Sequence, residues 1–187
     1  MNLIVLGAHQ DCKKDLEEAQ KVFSECDYMA IGLDSMLMYE GDIQYMATFH
    51  PCDINDCKKK RKEKGLNTDF KGISHIKEEV KVNCKGGKIE YEVDIIEPYK
   101  ACREHTSGSS ALLGVKVALK VGYDKIILCG CPLIGISGTN YNYKDFQSGW
   151  IAAKDLVMGK VKSMSGWTKD YLGYPTKEWL NGTKGEI

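Results

Sequence analysis

The chain has 187 residues, enough for one domain to bury a core of its own without disulfides or a structural metal. Its 26 basic residues are matched by 26 acidic ones, so no chain-wide positive field gathers nucleic acid or anionic lipid, and any anion site has to be local. Hydrophobic residues make up 43% of the chain, yet no apolar run approaches the roughly 20 residues that span a bilayer. With no basic leader ahead of the run Met1–Gly7, a cytoplasmic protein with no membrane partner is predicted.

In chain order, the continuous apolar residues Leu3–Leu6 predict a buried strand that ends in Gly7-Ala8-His9-Gln10-Asp11, followed by a helix to about Ser24. A second strand at Tyr28–Ile31 stops at Gly32-Leu33-Asp34, and a third at Ile43–Thr48 stops at His50-Pro51. The basic segment Lys58–Lys64 reads as an exposed helix closed by Gly65. Weak alternation around the turn signal Lys85-Gly86-Gly87-Lys88 predicts a hairpin between Lys81–Cys84 and Ile89–Val93. The clearest unit comes next: His105-Thr106-Ser107-Gly108-Ser109-Ser110, a helix from Ala111 to Val121, a turn at Gly122-Tyr123-Asp124, and a strand from Lys125 into Gly130. A helix feeding a strand through so short a turn is half of a parallel crossover. A loop rich in Gly, Asn and Tyr, a helix from Phe146 to Met158, a strand at Lys160–Lys162 and a tail with one short helix complete the chain. The predicted fold is a single α/β domain, a Rossmann-like three-layer sandwich with a mostly parallel sheet and a small hairpin insertion.

In such sheets ligands lie beyond the carboxyl ends of the strands where strand order reverses. The turns at Gly7-Ala8-His9, at Gly32–Asp34 and at Gly130 are therefore candidates, and Gly7 is expected to leave room for a ligand to approach the backbone. Thr106-Ser107-Gly108-Ser109-Ser110 offers hydroxyls and unhindered amides at the start of a helix, a setting that favours phosphate, or equally a plain helix cap. His9, His50 and His105 stand beside strand ends or loops and are the acid-base candidates, with His9 ranked first. The segment from Tyr141 to Phe146, with Trp150, either covers a ring or packs on the sheet, and Ser163-Met164-Ser165-Gly166-Trp167-Thr168, with hydroxyls and a glycine before a short helix, is a second candidate anion cradle or a simple cap. Eight cysteines are scattered with no Cys-x-x-Cys pair and predict reduced thiols. The grouping of His50, Cys52 and Cys57 with Cys129 and Cys131 matches no common zinc pattern, and no metal ligand is assigned.

Thr106-Ser107-Gly108, the small and aliphatic helix after it, and Ala118-Leu119-Lys120-Val121-Gly122-Tyr123-Asp124-Lys125-Ile126-Ile127-Leu128-Cys129-Gly130 together resemble a stretch shared by bacterial CMP-sialic-acid-dependent sialyltransferases and the Rossmann-like family of archaeal hydroxymethylpterin diphosphokinase. The resemblance implies a nucleotide-binding protein, a small transferase using a CMP-sugar or ATP with or without magnesium, or else a protein that holds a nucleotide without chemistry. Thr106, Ser107 and Gly108 would meet the phosphate or ribose, with Gly7, Ala8 and Asp34 nearby. Ala8-His9 stands where those enzymes have Asn-Gly, and Asp34 where they present an amide. No histidine follows His105, whereas the sialyltransferases use a late histidine as base. The partner expected is thus a small-molecule nucleotide, and homo-oligomerisation stays open.

Overall fold

The computed structural model describes residues 1–80, 88–98, 109–134 and 143–182. β1 (Asn2–Leu6) leads through Gly7 into α1 (Cys12–Ala19), β2 (Asp27–Ile31) runs straight into α2 (Gly32–Met38), and β3 (Tyr45–Ala47) is followed by α3 (Cys52–Glu63). β4 (Lys71–Ser74), the short strands β5 (Glu78–Val80) and β6 (Lys88–Glu90), and β7 (Ile95–Ile96) come next. The second half holds α4 (Ser110–Lys120), β8 (Lys125–Cys129), α5 (Tyr143–Ala152), α6 (Lys154–Val157), β9 (Val161–Ser163), α7 (Gly166–Leu172) and α8 (Lys177–Asn181).

Seven strands make one sheet in the order β7-β4-β3-β2-β1-β8-β9, parallel at every pairing. β5 and β6 pair antiparallel as a separate small hairpin. The α/β, Rossmann-like three-layer architecture read from the sequence is therefore the architecture found. From β1 the chain builds outward through β2, β3, β4 and β7, then α4 returns it to β8 on the other side of β1. Strand order reverses between β1 and β8, which is where such sheets open a crevice.

Strand pleating explains why the central strands read as unbroken apolar runs. Leu3 and Val5 of β1, with Ile126 and Leu128 of β8, enter the core under α4, where Leu112, Leu113, Val115 and Val117 are buried. Ile4 and Leu6, with Ile127 and Cys129, enter the opposite core with Cys12 and Ala19 of α1 and Ile54 and Cys57 of α3. Each buried aliphatic side chain contributes about 1.5–3 kcal/mol, so these two clusters, more than any single polar contact, fix the sheet between its helical layers.

Several elements differ from the sequence reading. α2 stands where the sequence predicts only a turn, because Gly32 follows the strand and no side chain caps the helix; Ser35 Oγ instead donates back to the Ile31 carbonyl at 2.7 Å, and Met36 packs inward. α3 is not a wholly exposed basic helix. Ile54, Cys57 and Arg61 form its inward stripe, and the fully buried Arg61 guanidinium donates to the carbonyls of Met36, Tyr39, Gly41 and Asn67 at 2.7–3.0 Å. It thereby closes the carboxyl end of α2, whose last carbonyls have no partners within the helix. α1 stops at Ala19, and the following turn buries Phe23 against Trp179, their ring centroids 6.1 Å apart. The hairpin pairs Glu78–Val80 with Lys88–Glu90, the expected strand Lys81–Cys84 lies outside the described residues, and β4 and β7 on either side join the main sheet. The helix expected over 146–158 begins at Tyr143 and divides at Ala153, and the tail holds two short helices.

Candidate functional site

The turns after β1 and β8 lie against each other at the crevice. Gly7 N donates to the Cys129 carbonyl at 2.8 Å and His9 N to the Gly130 carbonyl at 3.3 Å. A Cβ on Gly7 would overlap the Gly130 carbonyl oxygen and lie 2.6 Å from Cys131 Sγ. The direction a side chain on Gly7 would take is thus filled by the neighbouring turn, while Gly7 itself lies in the wall of the cavity in front. Gly130 has φ +65°, and a Cβ there would meet Cys12 Cβ at 2.5 Å. The buried carboxylate of Asp15 in α1 fastens this crossing from behind, accepting from Gly130 N at 2.9 Å and from Ser165 Oγ at 2.7 Å.

In front of the crossing lies a cavity of about 380 Å³ at the carboxyl ends of β1, β2, β3 and β8. One wall is the turn Gly7–His9, another is Ile31, Phe49 and His50, and a third is Gly130–Leu133. Tyr143 and Phe146 of α5, in edge-to-face contact at 5.9 Å, close it on an aromatic side. The start of α4, Ser109–Ala111, lines it as well.

Helix geometry leaves the amides of Ser110 and Ala111 outside the intrahelical ladder, at the end where the helix dipole is positive. The nearby hydroxyls are already engaged: Ser109 Oγ caps Leu112 N at 3.3 Å, and Ser110 Oγ accepts from Phe49 N at 3.3 Å. Ser109 is thus a helix cap. The β3 turn is held by Thr48, which accepts from His50 N at 3.0 Å and donates to Asp53 Oδ2 at 3.0 Å.

His9 is largely enclosed, its side chain 13% exposed, with Nδ1 3.3 Å from both the Asp11 amide and Asp11 Oδ2. His50 is exposed at the cavity rim. Burial pushes the thiols around the crossing upward: Cys12 to about 11, with the Asp15 charge adding to the effect, and Cys129 and Cys131 well above the ordinary thiol range. All three are protonated and poor nucleophiles at neutral pH. The described cysteines Cys12, Cys26, Cys52, Cys57, Cys129 and Cys131 are free. Among the described residues, no group of three or more His, Cys, Asp or Glu side chains is arranged to hold a metal.

The structure therefore brings Gly7, Ala8, His9, Ser109 and Gly130 together at one cavity. Asp34 lies elsewhere, exposed in the first turn of α2, where its charge complements the helix dipole. His105, Thr106, Ser107 and Gly108 lie outside the described residues. Of the two readings of the aromatic segment, Tyr143 and Phe146 line the cavity while Trp150 is fully buried core. In the second candidate cradle, Ser163–Thr168, the Ser165 hydroxyl donates to Asp15, and the Ser163 and Thr168 hydroxyls lie 2.8 Å apart in hydrogen-bond contact with each other. Ile31, Phe49, Ala111 and Leu133 escaped the sequence reading, because apolar lining looks like core until the sheet brings four strand ends together. Ser110 was legible as part of the serine run but not as the partner of Phe49.

No described helix is long and apolar enough to cross a membrane. Comparison with protein-family models, with curated proteins and with solved structures finds no match to this chain.

Proposed function

We propose that this chain binds a phosphorylated, nucleotide-type small molecule in the cavity between β1, β3, β8 and the start of α4. The observation that carries the reading is the position of the cavity: it sits at the reversal of strand order, with the amino end of an 11-residue helix in its wall. Parallel sheets bind ligands at that point, and helix starts favour anions. Phe49, Tyr143 and Phe146 supply flat apolar surface suited to a base or sugar ring, while Ser110 and Ala111 offer amides to a phosphate.

The substitution Ser110→Asp tests this reading. An aspartate at that position still accepts from Phe49 N and is favoured by the helix dipole, so the melting temperature should stay near that of the wild type. Its charge would repel the ligand's anion, and affinity for nucleoside monophosphates and diphosphates should fall by about tenfold or more. Unchanged affinity would remove the start of α4 from the site.

A second reading, transfer chemistry on a CMP-sugar or ATP, is favoured by the two histidines that line the same cavity, since imidazoles exchange protons near neutral pH. Turnover by the purified protein that is lost in His9→Gln would support it. Binding without product would leave the first reading alone.

A further inference from the structure

Anion sites commonly take their positive charge from lysine or arginine, but the described lining of this cavity contains neither. Its basic side chains are His9 and His50. They reach it from different strands, His9 on the turn after β1 and His50 on the turn after β3, with Ile31 at the end of β2, the strand between them. His9 is mostly enclosed, so a charge on it is screened less than one in open water. The Asp11 loop serves both of its states: a neutral ring accepts the Asp11 amide proton at Nδ1, and a protonated ring donates from Nδ1 to Asp11 Oδ2. His50 N donates to Thr48 Oγ1, whose hydroxyl donates to Asp53, so the carboxylate of Asp53 in α3 stands at the base of that turn. The remaining titratable groups of the described wall are the Cys131 thiol, kept protonated by burial, and the Tyr143 phenol. His75 packs behind Phe49 with ring centroids 5.2 Å apart, and α4 contributes only uncharged residues.

We propose that the anion bound in this cavity takes its counter-charge from protonation of His9 and His50, so that the site binds an anion of constant charge more tightly as pH falls. The inference rests on the cavity being a site for a phosphorylated ligand; it adds the source of the charge and the pH dependence that follows. Histidine is the side chain whose charge ordinarily changes between about pH 5 and pH 8, and gaining positive charge beside a bound anion strengthens binding. The direction is therefore tight in acid and weak in alkali.

A phosphomonoester loses its own second charge near pH 6, which opposes the effect, so inorganic sulfate, whose charge is constant over this range, is the probe. Sulfate and a set of nucleoside 5′-monophosphates are titrated into the full chain at about pH 5.5 and pH 8, following backbone amide signals of the cavity residues. Sulfate affinity is expected to fall by about tenfold or more at the higher pH in the wild type. In the double variant His9→Gln, His50→Gln it is expected to be nearly flat, with the melting temperature close to wild type. Should the double variant fail to fold, His50→Gln alone, at an exposed position, is expected to weaken the pH dependence. A flat wild-type profile, or a slope that survives in the histidine variants, overturns the proposal. Monophosphates that bind while sulfate shows no slope overturn it and leave the nucleotide reading standing, whereas no response to either probe overturns both.

Discussion

Two stretches that meet at the same crevice are built in opposite ways. At the crossing of the β1 and β8 turns, backbone packs on backbone: the Gly7 and His9 amides are taken by the Cys129 and Gly130 carbonyls, and the Gly130 amide by Asp15. At the start of α4, a few residues across the cavity, the hydroxyls are spent on the helix cap and on Phe49, but helix geometry leaves amides unused by the ladder. Glycines at strand ends and serines at helix starts both look like ligand loops in a sequence. Here the glycines close the fold and the helix start faces the open space.

The comparison is broken most severely at Gly7. Gly7→Val forces side-chain atoms into the Gly130 carbonyl and Cys131 Sγ, and overpacking against backbone should cost about 3 kcal/mol or more. Thermal denaturation is expected to show a large loss of stability, with nucleotide binding lost only to the extent that the protein unfolds. A Gly7→Val protein that folds normally and fails to bind would mean that this glycine makes room for the ligand.

Asp15→Ala is the next largest. It removes a buried carboxylate and leaves the Gly130 amide and Ser165 hydroxyl without their acceptor, a loss of about 2–3 kcal/mol in urea denaturation. The packed crossing is therefore expected to fail from behind, through a residue that does not line the cavity. Stability within about 0.5 kcal/mol of wild type would mean that the crossing does not depend on this strut.

How far the sequence revealed this arrangement follows from the range of the interactions. β1 and β8 were legible because strands buried on both faces need apolar residues at every position, and α4 because a small, aliphatic helix follows a serine run. The Gly7–Gly130 contact was not, since the atoms that crowd Gly7 come from a turn more than half the chain away. α2 was hidden by the glycine at its first position and the lack of a capping side chain. Arg61 sat within a run of lysines, and only packing separates the one buried cation from its solvated neighbours. His50 was visible as a histidine beside a strand end, but its place opposite His9 required the strand order.

The smallest expected effect is a pH dependence within the packed side. Burial first, and the Asp15 charge second, raise the Cys12 thiol from 9.0 to about 11. Between those values the unfolded chain holds fewer protons than the folded one, so stability is fully present below about pH 9 and declines as pH rises towards about 11. Melting temperatures across that window should fall less steeply in Cys12→Ser, after allowing for the variant's own baseline. An identical slope in both proteins would place the titrating group elsewhere.

Amide chemical-shift mapping with nucleoside mono- and diphosphates asks whether the open side of the crevice, at the start of α4, holds the proposed ligand. The largest shifts are expected on Ser110 and Ala111, with smaller ones at His9, Phe49 and His50, which share the same cavity. Shifts centred instead on Leu16, Ser35, Met38 and Tyr39, which line the cavity of about 610 Å³ between α1 and α2, or no shifts at all, would contradict that placement of the ligand.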